Sequence, residues 1–262
     1  MINENLKNKL KNNDLTIGSW ITIGHPAIPE ILAEAGFEWL VIDIEHITID
    51  LSMTQTLIST IQSKGLAALV RVSKNEEVVI KRVLDAGADG IIVPMVCNKE
   101  DAIRAVEYAK YPPIGKRGVG LARAQKYGIA FEEYKKWVDE SLIVIAQIEH
   151  IDGINHLEEI IKVDGIDGTI IGPYDLSGSL GIPGKFEEPI VINSLAKYKN
   201  ISKQNTFSMG FHVVDTNIRK VIEKIEEGYR FIAYGTDFLF MGDSARNGFS
   251  RLHEFDTKNM TI

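Results

Sequence analysis

Glu149 closes the run Ala146-Gln147-Ile148-Glu149, and Asp175 sits in the turn Gly172-Pro173-Tyr174-Asp175-Leu176. Glu149 ends a short β-branched segment, and Asp175 lies in the turn that follows the next one. Two hard carboxylate ligands with positions left open suit a divalent cation such as magnesium or manganese. A helix cap or an arginine partner is the competing use of either group. If the 172–176 turn opens a short helix, its exposed backbone N–H groups can hold a carboxylate or phosphate; otherwise it is an ordinary strand-to-helix turn. His46 ends the run Asp43-Ile44-Glu45-His46. Neighbouring carboxylates there would orient an imidazole and keep it near a pKa useful for proton transfer, the alternative being a structural or capping histidine. Arg71 is almost enclosed by apolar residues in Ala68-Leu69-Val70-Arg71-Val72. Its guanidinium can polarise a carbonyl, hold a carboxylate, or serve a structural ion pair. Cys97 has no matching base, which argues against a thiol nucleophile. His212 ends a strand-like run but receives no role on these grounds.

Elements that recur along the chain must bring these groups together. Strand-like runs stand at 17–23, 38–44, 66–72, 89–96, 141–149, 167–172, 207–213 and 230–236. Most are continuously apolar, as strands buried on both faces are. Amphipathic stretches lie between them, and several stop on a glycine (Gly36, Gly87, Gly228), a common helix ending. Eight strands alternating with helices predict a single α/β domain, a (β/α)8 TIM barrel, over 1–262. An open doubly wound sheet is the alternative, and it lacks a G-x-G-x-x-G after the first strand. In a barrel the C-terminal ends of all strands converge on one mouth. Asp43, Arg71, Gln147, Glu149, Gly172 and His212 would all face it. Two intervals, 97–140 and 173–206, exceed what one helix requires and read as functional loops. None of the eight runs contains a lysine, and Lys74 just beyond the third lies in a polar segment. A metal route is therefore favoured over an imine route.

Composition narrows the partners. The 262 residues carry 29 basic and 36 acidic side chains, a formal charge of -7. That balance disfavours a nucleic-acid partner. The single cysteine excludes an intrachain disulfide and favours a reducing compartment. The polar opening MINENLKNKLKNNDLT lacks the apolar centre of a signal peptide, and no apolar run reaches the ~20 residues of a membrane span. A cytoplasmic enzyme with no membrane partner is expected.

The segments IGSW, LVIDIEH, LVRV, VLDAGADGIIVPMV, YPPIGKRGVG, AQIE and GIDGTIIGPYDLSGSLG follow one another from about residue 17 to 184. In these the chain resembles the HpcH/HpaI family of class II, metal-dependent pyruvate aldolases. The resemblance implies a (β/α)8 barrel of the phosphoenolpyruvate/pyruvate type. It implies reversible cleavage of a 4-hydroxy-2-oxo acid, such as a 2-keto-3-deoxy sugar acid, to pyruvate and an aldehyde. The cofactor would be a divalent metal cation (magnesium, manganese, cobalt or zinc). The assembly would be a homo-oligomer, a trimer or a hexamer, with a C-terminal helix (about 242–255) exchanged between subunits. Residue by residue, Glu149 and Asp175 match the metal ligands, His46 the catalytic histidine and Asp43 its acidic companion. Arg71 matches the arginine at the pyruvate oxygen, and Asp85 an acidic group that reaches the histidine from a neighbouring subunit. Gly172, Tyr174 and Asp175 match the turn that binds the pyruvate carboxylate, and Gln147 a glutamine near the substrate. The residues after His46 (Ile47-Thr48-Ile49-Asp50), the short GLARAQKYG stretch, Tyr174 and Tyr234 depart from the family pattern. All four changes lie near the mouth and bear on which aldehyde is taken. Residues 118–128 are expected to line its aldehyde side, with Arg123 as a cation for an acidic or polyhydroxylated aldehyde, the plainer reading being a solvated loop arginine. Two other readings stand beside this one. One is a lyase of the same superfamily acting on an acyl-CoA ester such as malyl- or citryl-CoA, for which no additional basic clamp is visible. The other is a catalytically idle barrel that serves as a binding or assembly subunit.

Overall fold

A computed structural model describes residues 2–259. Eight strands, β1 (Thr16–Ile21), β2 (Trp39–Asp43), β3 (Ala67–Arg71), β4 (Gly90–Val93), β5 (Ile143–Ile148), β6 (Gly168–Ile171), β7 (Met209–Val213) and β8 (Phe231–Thr236), form a closed barrel. Every pair is parallel, including β1 with β8, and helices alternate with the strands. The eight expected runs are the eight strands. The largest difference is at β4, where 89–96 contracts to Gly90–Val93. Pro94 has no N–H to give to a ladder, so pairing stops before it.

The continuous apolarity of the strands is used on both faces. Side chains such as Trp39, Val41, Leu69, Ile92, Ile145 and Phe231 fill the barrel interior. Their neighbours Leu40, Ile42, Val70, Ile91, Val144 and Ile232 join the layer between barrel and helices. Inside the barrel the Trp39 indole stacks on Phe231 with ring centroids 4.2 Å apart, and its Nε1 donates to Thr16 Oγ1 at 3.1 Å. Gly18, in register with Trp39, makes room for that stack: a Cβ there would lie 2.1 Å from the indole. Gly18→Ala is therefore expected to destabilise the fold by about 3 kcal/mol or more, since the packed indole has nowhere to move. For a chain of this size the loss corresponds to a thermal midpoint roughly 6–10 °C lower, readable by calorimetry.

The polar N-terminal stretch forms a helix, Ile2–Asn12, that closes the bottom of the barrel. Leu6 and Leu10, four residues apart and so on one helix face, are buried with the interior cluster. Lys7 Nζ donates to Leu142 O at 2.6 Å and pairs with Asp167 at 3.2 Å. The two long intervals are largely helical, with Lys99–Ala109, a short 3₁₀ segment Arg123–Gly128 and Phe131–Glu140 in the first. The second holds Pro173–Ser179 and Pro189–Gln204. A last helix, Asp237–Asn259, leaves β8 with Phe249, Leu252 and Phe255 exposed. Asp237, at its start, accepts hydrogen bonds from the backbone N–H groups of Thr22 and Ile23, each at 2.8 Å, and from the Thr22 hydroxyl. That carboxylate latches the end of β8 to the end of β1. Among the described residues no helix is long and apolar enough to cross a membrane.

Candidate active site

The C-terminal strand ends assemble one polar mouth. Asp43 ends β2 and Arg71 ends β3 in direct register. The guanidinium grips the carboxylate with two bonds, Nε to Oδ1 at 3.0 Å and Nη2 to Oδ2 at 2.7 Å. Both side chains are almost wholly buried, so the pair is held by geometry rather than by a fluctuating surface contact. Asp43 Oδ1 also accepts from the backbone N–H groups of Glu45 and His46, at 3.0 and 3.4 Å. It thereby folds the chain over the end of β2. The Arg71 guanidinium carbon lies 4.5 Å from the Trp20 ring centroid, a cation–π contact with a β1 side chain.

Glu45 completes this cluster. Its Oε2 is 3.3 Å from Arg71 Nε and 3.7 Å from His46 Nε2, yet it is buried without a hydrogen-bond donor among the described residues. Burial pushes its carboxyl up to about 7, against the pull of Arg71 and with a further push from Glu149. The His46 imidazole is exposed at the rim beside Glu45. Asp43, expected as the acidic companion of that ring, instead engages His46 through the backbone and spends its carboxylate on Arg71.

Across the mouth, Glu149 follows β5 and is buried. Its Oε1 accepts from the Met95 backbone N–H at 2.7 Å, and its Oε2 from Gln147 Nε2. Met95 takes a left-handed φ of 53°, which a side chain rarely adopts, and so aims its N–H at this carboxylate. Burial raises the Glu149 carboxyl, and the Asp175 carboxylate nearby raises it further. Gly172 allows the close approach: a Cβ there would sit 3.0 Å from Glu149 Cβ and 3.1 Å from its Oε2. A buried carboxylate beside a second one, with an orphaned carboxylate oxygen of Glu45 close by, is the donor chemistry that a hard divalent cation neutralises. Among the described residues no group of three or more His, Cys, Asp or Glu is arranged to enclose a metal. Two carboxylates are fewer ligands than a hard divalent cation takes, so a cation held by this pair would draw its other ligands from water or a bound molecule.

Between the two halves lies a cavity of about 160 Å³, lined by Trp20, His46, Arg71, Gln147, Asp175 and His212 among others. Tyr174 lines its rim, with its ring edge-on to Phe186 at 4.7 Å and its side chain largely exposed. Two expected site residues are elsewhere in this chain. Asp85 ends the helix Glu77–Asp85 at the opposite end of the barrel, where its Oδ1 accepts from Arg117 Nη2 at 2.6 Å. Arg123 lies at that end too, donating to Ala86 O at 3.1 Å and Gln62 Oε1 at 2.9 Å. It borders a separate cavity of about 490 Å³ with Asp89, Tyr127 and Trp137. Within this chain Arg123 therefore lies away from the mouth: the segment 118–128 turns back against the helix Leu51–Ser63 and the start of β4. Sequence reasoning missed Trp20, and it gave Glu45 only the part of a carboxylate beside His46, not its place against Arg71. Glu45 had a signal, since it stands two residues after Asp43; Trp20 reads as core until Arg71 is placed over it.

The family model for HpcH/HpaI aldolase/citrate lyase matches residues 16–242. The hydroxypyruvate/pyruvate aldolase of Roseobacter denitrificans is 32% identical over 243 residues, covering 92% of this chain and 94% of its own. The 2-keto-3-deoxy-L-rhamnonate aldolase of Escherichia coli K12 is 32% identical, with 93% and 91% covered. An HpcH/HpaI aldolase/citrate lyase family protein from Burkholderia cenocepacia J2315 superposes with a TM-score of 0.90 at 30% identity, over 95% of this chain and 99% of that one. Likeness that runs from the first strand through the last, to proteins of nearly equal length, has one meaning for descent: the chain belongs to the HpcH/HpaI aldolase/citrate lyase family.

Proposed function

We propose that this protein is a class II aldolase, a carbon–carbon lyase that reversibly cleaves a 4-hydroxy-2-oxo acid to pyruvate and an aldehyde, with a divalent cation held by Glu149 and Asp175. The observation that carries the reading is the buried Glu149 carboxylate beside Asp175, facing the fixed Arg71 guanidinium across one small cavity. When bound, the cation supplies Lewis-acid polarisation of the oxo acid's keto and carboxylate oxygens.

The remaining work belongs to side chains. Arg71 turns Nε and Nη2 to Asp43, which leaves Nη1 to donate to the keto oxygen as negative charge builds there. The backbone N–H groups of Tyr174 and Asp175 receive the substrate carboxylate, and Gln147 steadies Glu149 through its amide. His46, at the rim, takes the proton of the 4-hydroxyl as the C3–C4 bond breaks. The electron pair of that bond ends on C3 of pyruvate, which takes up a proton, and the 4-carbon leaves as the aldehyde. Asp85 would reach His46 from a neighbouring subunit, since it lies at the far end of its own barrel. A trimer or hexamer in which residues 242–255 pack on a neighbour would cover Phe249, Leu252 and Phe255. A cytoplasmic location agrees with a lone, unpaired cysteine.

The test is pyruvate release from a panel of 4-hydroxy-2-oxo acids, including 2-keto-3-deoxy sugar acids, with added magnesium or manganese and with chelator. Release that needs the metal is the expected result. Equal release in chelator, or cleavage confined to a malyl- or citryl-CoA ester, would overturn the assignment. Gly172→Ala gives a finer check. The added Cβ presses on the Glu149 carboxylate, so the metal dissociation constant should rise about tenfold, a cost of ~1.4 kcal/mol, with little change in fold stability. Titration calorimetry with manganese reads it directly.

A further inference from the structure

His212 is the penultimate residue of β7, lines the mouth cavity, and has no part in the mechanism above. Its Nε2 lies 3.1 Å from the carbonyl oxygen of Gly235 on β8. A carbonyl only accepts, so Nε2 carries the hydrogen and Nδ1 keeps a bare lone pair. The ring cannot easily turn away: it stacks on Trp20 at 5.0 Å with 23° between planes, and Arg71 lies over the same indole. Burial, with Arg71 adding to it, pushes the imidazole down to about 4, so the lone pair persists at neutral pH. The cavity thus presents a fixed, uncharged acceptor beside donors from Arg71 and Gln147. Such a group favours an O–H donor and disfavours a carboxylate or carbonyl oxygen.

We propose that His212 determines specificity, its Nδ1 accepting a hydrogen bond from a hydroxyl that the substrate carries in addition to the 4-hydroxyl. This rests on the aldolase reading. The hydroxyl can come from either half of the substrate, at C3 of the oxo acid or on the carbon chain of the aldehyde.

The experiment runs in the condensation direction with manganese and two matched pairs. One pair is hydroxypyruvate against pyruvate, each with acetaldehyde. The other is glycolaldehyde against acetaldehyde, each with pyruvate. The readout is the ratio of kcat/KM, hydroxylated over deoxy, in wild type, His212→Leu and His212→Asn. The Asn carbonyl stands near the place of Nδ1. In His212→Leu the ratio should fall about tenfold or more in one pair, and in His212→Asn it should return to within about threefold of wild type. The pair that responds identifies the half that bears the hydroxyl. If the Leu variant fails to fold, His212→Gln, which can donate to Gly235 O without an acceptor at the Nδ1 position, should show the same fall. Ratios that stay within about threefold in both pairs, or a fall that Asn does not restore, would overturn the proposal. Metal-dependent deuterium exchange at C3 of pyruvate separates the two levels of failure. No exchange in wild type overturns the aldolase reading and with it the substrate assigned to His212; exchange with unmoved ratios overturns the role of His212 alone.

Discussion

Glu149→Gln is expected to lose metal binding and aldolase activity together while the barrel stays folded. The carboxylate is the buried member of the proposed ligand pair, and its two oxygens are already oriented by Met95 N–H and Gln147. An amide is a neutral and much weaker ligand for a hard cation, so activity should drop by about a thousandfold or more. Stability should change by no more than about 1 kcal/mol. The new side chain can still accept from Met95, and the Gln147 amide can turn to present its oxygen to the new NH₂, so no buried donor is stranded. Removing a carboxylate whose charge burial disfavours also relieves a cost in the metal-free protein. Manganese titration, pyruvate release and urea unfolding on one preparation check all three statements. Full activity in chelator would refute the role of the pair.

Arg71→Ala is expected to damage both function and fold. The donor to the keto oxygen is gone, which for a preformed charge-stabilising group costs about a hundred- to a thousandfold in kcat. The buried Asp43 carboxylate also loses both of its guanidinium bonds, and Glu45 loses its cation. An uncompensated buried charge of this kind costs about 3 kcal/mol or more. Adding Asp43→Asn to Arg71→Ala should recover a large part of the stability, because the stranded charge is removed, and none of the activity. Arg71→Lys should lie between: it keeps the charge and loses the two-pronged grip. Additive effects of the Asp43 and Arg71 changes on unfolding would show that the pair is not coupled.

Much of this architecture was legible in the residues, for a definite reason. A parallel barrel buries both faces of each strand, so 39–42 and 143–146 read as unbroken apolar runs, and the polar residues that follow each run mark the mouth. Asp43, Arg71, Glu149 and Asp175 were found by that rule. It fails where side chains reach the mouth from inside a strand, as Trp20 does, because there function and core look alike. It does not reach Arg123, whose position depends on how helices and a 3₁₀ segment pack after β4, information carried by contacts distant in sequence. The N-terminal helix reads as merely polar because its pattern is sparse: among the described side chains, Leu6 and Leu10 commit it to the barrel floor.

The latch between Asp237 and Thr22 spans 215 residues. During synthesis β1 emerges long before β8, its partner on one side, and before the carboxylate that secures its end. At roughly 5–20 residues per second, that leaves on the order of 10–40 s in which β1 has an unpaired edge and Trp20 no imidazole to stack on. Such an edge invites pairing with another nascent chain. The mouth takes Trp20 from β1, and the Gly235 carbonyl that holds His212 comes from β8, so it is not complete until both strands exist. The pace of synthesis between β1 and β8 therefore sets how long that edge stays open.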